Sequence, residues 1–211
     1  MGETVPVLFK GEQIHVHKEV LTSTSDFLKI AMKPEWRTDE NRPIDLTEED
    51  AKAVEAYCRW LYSHTIPCHD DILYTTRLLC QLFVLGEKLL DQTLKNAVLA
   101  MMIEGAQTNH RYLCSRPLVK LIYDGTPKGS PVRRLMVDLY VYIAHSVWLS
   151  PHDCASFRGT DFLEELVPAL LSARPQPSFE KGRPWVVRPE SYREGAFAYG
   201  NNVETGSTKS T

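Results

Sequence analysis

Hydrophobic and polar residues alternate along Ile14 to His17, so that Ile14 and Val16 point one way and His15 and His17 the other, the period of a half-buried strand. At Lys18 the period changes. Val20, Leu21, Phe27, Leu28 and Ala31 recur at helical spacing on either side of a hydroxyl cluster, with Ser25 placed to cap a second short helix and Pro34 to stop it. Upstream, Val5 to Lys10 reads as a strand returned by a turn at Gly11, Glu12 and Gln13. Glu35 to Pro43 is polar apart from Trp36 and reads as a loop leading to a short strand, Ile44 to Leu46.

The rest is helical. Thr47 is placed to open a helix, with Asp50 three positions on, and Val54, Tyr57, Cys58 and Leu61, with Trp60 alongside, form its inward face as far as His64. From Leu73 to Leu90 one stripe of Leu78, Leu82, Leu85 and Leu89 adjoins another of Leu79, Phe83 and Leu90, a core pattern over a wide arc. Asp91 caps the next helix, whose Leu94, Ala97, Val98 and Met101 run to about Gly105. Ser115 with Pro117 and Ser130 with Pro131 mark two further helix starts; Gly125 closes the first. In the second, Leu135, Met136, Leu139 and Ile143 make the core stripe to about Val147, with Trp148 and Leu149 covering its end. A last helix is expected over Phe162 to Ser172, kinked or split by Pro168.

After Arg174 the periodicity ends. Prolines, glycines and serines dominate, and the final residues are expected to be disordered. The tail's aromatics, Phe179, Trp185, Tyr192, Phe197 and Tyr199, leave two readings open: packing back on the domain, or a short docking motif. The chain therefore divides into 1–105, a helical extension 106–173, and a largely irregular tail 174–211.

A formal net charge of -3 with mixed signs argues against a nucleic-acid partner, which needs a basic face. The five cysteines, odd in number and scattered, speak for free thiols in a reducing, intracellular setting, and no run is long enough for a membrane span.

The run Val16, His17, Lys18, Leu21, Ser25, Phe27 and Leu28 resembles the BTB/POZ domain, whose pattern is an apolar strand, Val-His-Lys, a Leu, then Ser-x-Phe-Phe. Ile44-Asp45-Leu46 is similar to the family's third strand. Ala53, Val54, Tyr57, Trp60, Leu61 and Tyr62 are similar to its next helix, and Leu85 to Leu89 with Asp91, Leu94, Lys95 and Asn96 to the following pair. Trp36, the Ile-x-Leu strand, Thr126-Pro127, Ser130-Pro131 and Arg134 look most like the fungal type. The resemblance implies an α+β fold, a small three-stranded sheet packed on a cluster of helices, with helices added at the C-terminal side. It also implies a non-catalytic protein-interaction module that associates with itself or with a protein partner, or a substrate adaptor of a cullin-RING ubiquitin ligase that binds the cullin scaffold. Many dimeric members carry a helix before the first strand; only Met1 to Thr4 precede it here, so self-association by that route is not expected. Ligase adaptors often have an apolar residue, any residue, then Glu in the loop of Trp36; here Trp36-Arg37-Thr38 is followed by Asp39 and Glu40. The candidate partner-binding residues are Trp36, Arg37, Asp39, Glu40 and Tyr62.

No catalytic, cofactor or metal residue is assigned. His15 and His17 lack companions at ligand spacing, and His64, Cys68 and His69, the densest Cys/His cluster, lack a second pair; they carry the rival reading of a metal protein or enzyme. The sequence holds no nucleophile elbow, phosphate loop or dinucleotide fingerprint, and no DNA-binding module that would make it a direct regulator of transcription.

Overall fold

The computed structural model describes residues 2–37, 39, 42–108, 115–144, 151–175 and 183–192, and divides the chain into two units, Met1–Ala173 and Arg174–Thr211. The first unit opens with an antiparallel hairpin, β1 (Thr4–Phe9) and β2 (Glu12–His17). Its turn is Lys10–Gly11, not Gly11 to Gln13. Both residues have positive φ, 45° and 80°, the pair of left-handed conformations whose twist matches the two strands. β3 (Ile44–Asp45) lies parallel to β1 on its other edge, giving the order β2-β1-β3. One rung earlier the parallel register sets Pro6 against Pro43, neither of which has an N–H to donate, so the pairing stops there.

A parallel return needs a crossover, and the two short helices α1 (Lys18–Thr24) and α2 (Asp26–Ala31) supply it. Then come α3 (Ala51–Ser63), α4 (Ile72–Lys88) and α5 (Gln92–Thr108). Thr47 does not open α3. Its N–H and hydroxyl are both held by the Asp45 carboxylate, at 3.0 and 2.7 Å, and Asp50 caps the helix through the N–H groups of Lys52 and Ala53. Those donors hold the Asp45 carboxyl below its ordinary value, the Thr47 hydroxyl most and its N–H next.

Three helices, α6 (Arg116–Gly125), α7 (Pro131–Tyr142) and α9 (Phe162–Ala173), extend the body, with α8 (Pro151–Ser156) between the last two. α6 ends at Gly125 as expected, but without a left-handed turn there. Gly125 is there for space, since a Cβ would come within 2.5 Å of a Val84 methyl on α4. In α7 the buried apolar positions are Val132, Met136, Val137, Leu139 and Tyr140, while Leu135 and Ile143 are only partly covered. Arg133 shares the buried face: its guanidinium bonds the carbonyls of Tyr123 and Thr126, lies over the Tyr123 ring at 4.5 Å, and reaches Asp161 on the approach to α9 at 3.4 Å. The Tyr123 hydroxyl donates to Glu165 at 2.6 Å. A single helix, α9, runs through Pro168. Val147, Trp148 and Leu149 lie outside the described residues.

The second unit contains a one-turn helix, α10 (Pro184–Val187), and a 3-10 turn, Pro189–Tyr192. Phe179, Phe197 and Tyr199, like the final residues expected to be disordered, lie outside the described residues.

Candidate protein-interaction surface

The core is one continuous cluster. Val5, Val7, Phe9 and Val16 of the sheet meet Leu21, Leu28, Val54, Tyr57, Leu82, Phe83, Leu94 and Met102 of the helices. Burying each such side chain is worth about 1.5–3 kcal/mol before ordering entropy is subtracted. What remains outside this core is the candidate surface.

Two polar residues bind the crossover to the α4–α5 joint. The fully buried Ser25 accepts from the Leu28 N–H at 3.0 Å, capping α2, and donates to the Leu89 carbonyl at 2.6 Å. Asp91, also fully buried, accepts from the N–H of Leu94 at 2.9 Å, from the Thr24 hydroxyl at 2.5 Å and from the Tyr57 hydroxyl at 3.4 Å. Burial, then the neighbouring Asp91 charge, pushes the Tyr57 phenol upward. The Asp26 and Phe27 N–H groups complete the clamp by donating to the Leu90 and Leu89 carbonyls.

This clamp places apolar side chains on the outside. α2 spans six residues and has one inward face, on which Leu28 is buried; Met32, the residue that caps its end, is buried on the same side. Phe27 and Ile30, three apart, share the other face and are 46% and 51% exposed. Leu90, bonded to Asp26 through its backbone, is 49% exposed and sits at φ 52°. The bonds from Asp91 N–H to the Gly86 carbonyl and from Leu90 N–H to the Glu87 carbonyl form the two-bond helix ending in which the left-handed residue is usually glycine. A leucine there is strained by roughly 1–2 kcal/mol, and its side chain is not part of the core. On the same short helix Lys29 pairs with Asp26, and Lys88, two residues before Leu90, pairs with Glu49.

Past the end of α2 the chain enters a turn in which Trp36 is 72% exposed. Arg37 braces the loop, one guanidinium nitrogen 3.1 Å from the Met32 sulfur and the other donating to the Arg42 carbonyl at 2.6 Å. The Asp39 carbonyl accepts from the Arg42 N–H at 3.1 Å. Trp36, Arg37 and Asp39 thus share one loop, while Glu40 lies outside the described residues. Tyr62 is elsewhere. Its hydroxyl accepts from the His17 N–H at 3.0 Å and pairs with His17 Nδ1 at 2.8 Å, covering the free edge of β2, whereas the Trp36 loop leads into β3 at the opposite edge.

The Cys/His cluster does not converge. His64 stacks edge-on against Trp60, His69 Nδ1 accepts from the Asp71 N–H at 3.0 Å, and among the described residues no three His, Cys, Asp or Glu side chains form a metal-holding group. Cys58 and Cys80 are buried, and burial pushes both thiols up to about 12. Cys68 is exposed and Cys154 partly so; Cys114 lies outside the described residues. No helix among the described residues is long and apolar enough to cross a membrane.

Residues 4–98 match the family model of the BTB/POZ domain. No curated protein matches the chain.

Proposed function

Residues 4–98 form a BTB/POZ domain, and from that premise we propose that the chain is a non-catalytic module for protein association whose contact surface is centred on Phe27, Ile30 and Leu90. The observation that carries the reading is Leu90: a large apolar side chain held in a strained left-handed position and half exposed beside two others. A solvated helix end would be better served there by glycine. Truncation of such a centre typically costs more than rim contacts do. The test is light scattering on the full chain together with affinity capture, repeated with Phe27→Ala and Leu90→Gly. A complex that weakens about tenfold or more in either variant supports the reading; association that neither variant alters overturns it.

A second reading is adaptor of a cullin-type ligase. It is favoured by the exposed Trp36 in a loop braced by Arg37, a presentation suited to an anchor on a partner. Titration of purified cullin scaffold against the chain and Trp36→Ala tests it, and the absence of saturable binding to the parent chain sinks it. Kinship with the fungal type and an intracellular setting accompany these readings, on the Trp36, Thr126-Pro127 and Ser130-Pro131 spacing and on the odd, scattered cysteines.

A further inference from the structure

One stretch of the second unit is basic where the chain as a whole is not. The formal net charge is -3, yet residues 181–193 carry Lys181, Arg183, Arg188 and Arg193 against Glu190 alone. Ser191 lies in that run. Arg188 stands three positions before it and Arg193 two after, and no other serine or threonine of the sequence has a lysine or arginine three positions before it. A cation at a fixed offset from a hydroxyl is a pattern by which protein kinases select acceptors, because the groove that holds the peptide sets carboxylates at matching offsets.

Local structure leaves this hydroxyl within reach. Arg188, Pro189 and Glu190 are exposed and Ser191 partly so, whereas Ser25, Thr76, Thr126 and Ser130 of the first unit are buried. The Ser191 N–H and hydroxyl both donate to the Arg188 carbonyl, at 3.1 and 2.8 Å. Their turn, Pro189–Tyr192, spans four residues, and α10 before it four more. Pieces this short are marginal in water, so little free energy separates them from the extended chain that a kinase binds.

We infer that Ser191 is a phosphorylation site for a serine/threonine kinase directed to basic segments. In the transfer Ser191 Oγ attacks the γ-phosphorus of ATP: the Oγ–P bond forms, the bond from that phosphorus to the β,γ-bridging oxygen breaks, the hydroxyl proton passes to the carboxylate base of the kinase, and ADP departs. The product carries no proton on Oγ, so the bond to the Arg188 carbonyl is lost. In its place stand three acceptor oxygens with a charge of about -1.5 to -2, which guanidinium groups bind in charge-assisted pairs. The modification thus cancels most of the positive charge of the run. It lies outside the matched 4–98 and does not rest on the association surface at Phe27 and Leu90.

The full chain is incubated with magnesium and ATP and with either a basic-directed or an acid-directed serine/threonine kinase, and phosphate is mapped by mass spectrometry. The chain recovered from the cells that make it, with phosphatases inhibited, is mapped in the same way. The basic-directed enzyme should place its phosphate on Ser191, the acid-directed one should leave Ser191 bare, and the cellular chain should carry the same modification. Arg188→Ala should lower kcat/KM about tenfold or more, the worth of one charged contact, while Arg188→Lys keeps most of it. Arg188 is exposed, so neither variant should move the thermal midpoint. Phosphate missing from Ser191 in either sample, phosphate placed chiefly on another residue, or transfer to Arg188→Ala at the parent rate overturns the inference.

Discussion

Asp91→Ala is the perturbation that most directly tests how the crossover is fastened to the helical body. The carboxylate is fully buried and receives the Leu94 N–H, the Thr24 hydroxyl and the Tyr57 hydroxyl. Losing an N-cap of this type costs about 1 kcal/mol. Each buried donor left without an acceptor adds about 1–3 kcal/mol, the lower end applying to Tyr57, whose bond is long at 3.4 Å. The total is about 3–5 kcal/mol, a large part of the roughly 5–15 kcal/mol a whole domain has. At about 2–4 °C per kcal/mol for a unit of this size, the midpoint should fall by about 6–20 °C. Urea unfolding followed by tryptophan fluorescence measures the loss, because Trp60 is buried on α3. Asp91→Asn should lose much less, since its amide oxygen still caps α5 and the two hydroxyls can turn to accept from its NH2 group. A cycle with Tyr57→Phe isolates that bond, and a coupling of about 0.5–1 kcal/mol is expected. A loss below about 1 kcal/mol for Asp91→Ala, with an unchanged urea slope, would refute the assignment of Asp91 as the fastening point.

Other outcomes follow from single contacts. Leu90→Gly should raise stability by about 1 kcal/mol in urea unfolding by relieving the left-handed backbone, even as it weakens association; a destabilised variant would mean that the side chain belongs to the core. Gly125→Ala should cost about 1–3 kcal/mol, because its methyl meets Val84 at 2.5 Å and α6 must move off α4. Iodoacetamide at mild alkaline pH, mapped by mass spectrometry, should modify Cys68 and spare Cys58 and Cys80 until urea unfolds the chain; equal labelling of all three would contradict their burial. The folded chain also keeps the Cys58 and Cys80 protons up to about 12 and holds the Tyr57 and Tyr123 phenols above their ordinary range. Groups raised on folding contribute fully below the unfolded value, near 9 for the thiols, and lose that contribution as pH climbs toward the folded one. Denaturation midpoints should therefore hold steady through neutrality and fall above pH 9, and a flat profile there would exclude those shifts.

Local chemistry accounts for what was legible in the sequence. A change of period at Lys18, a serine before Phe27 and an aspartate between two apolar runs each dictate their neighbours' backbone, and strand, short helices and the α4–α5 joint stand where those residues put them. The resemblance carried by the same residues extends over the matched 4–98. Where two local solutions competed, the pattern misled: Thr47 and Asp50 both suit a helix start, and only the pull of Asp45 on Thr47 decides between them.

The outer surface was a different matter. Phe27 and Leu90 are as apolar as the residues beside them, and periodicity assigns them to the core; their exposure follows from which side of α2 and of the α4 end the rest of the body covers. Arg133 is buried because carbonyls and carboxylates from α6 and the start of α9 happen to surround it, and Gly125 is glycine because of Val84 on another helix. Sequence by itself determined the elements, since caps, turns and period act within a few residues of the chain. Tertiary structure alone decided which faces stay uncovered, and hence where a partner can bind, because that depends on contacts between segments far apart in the chain.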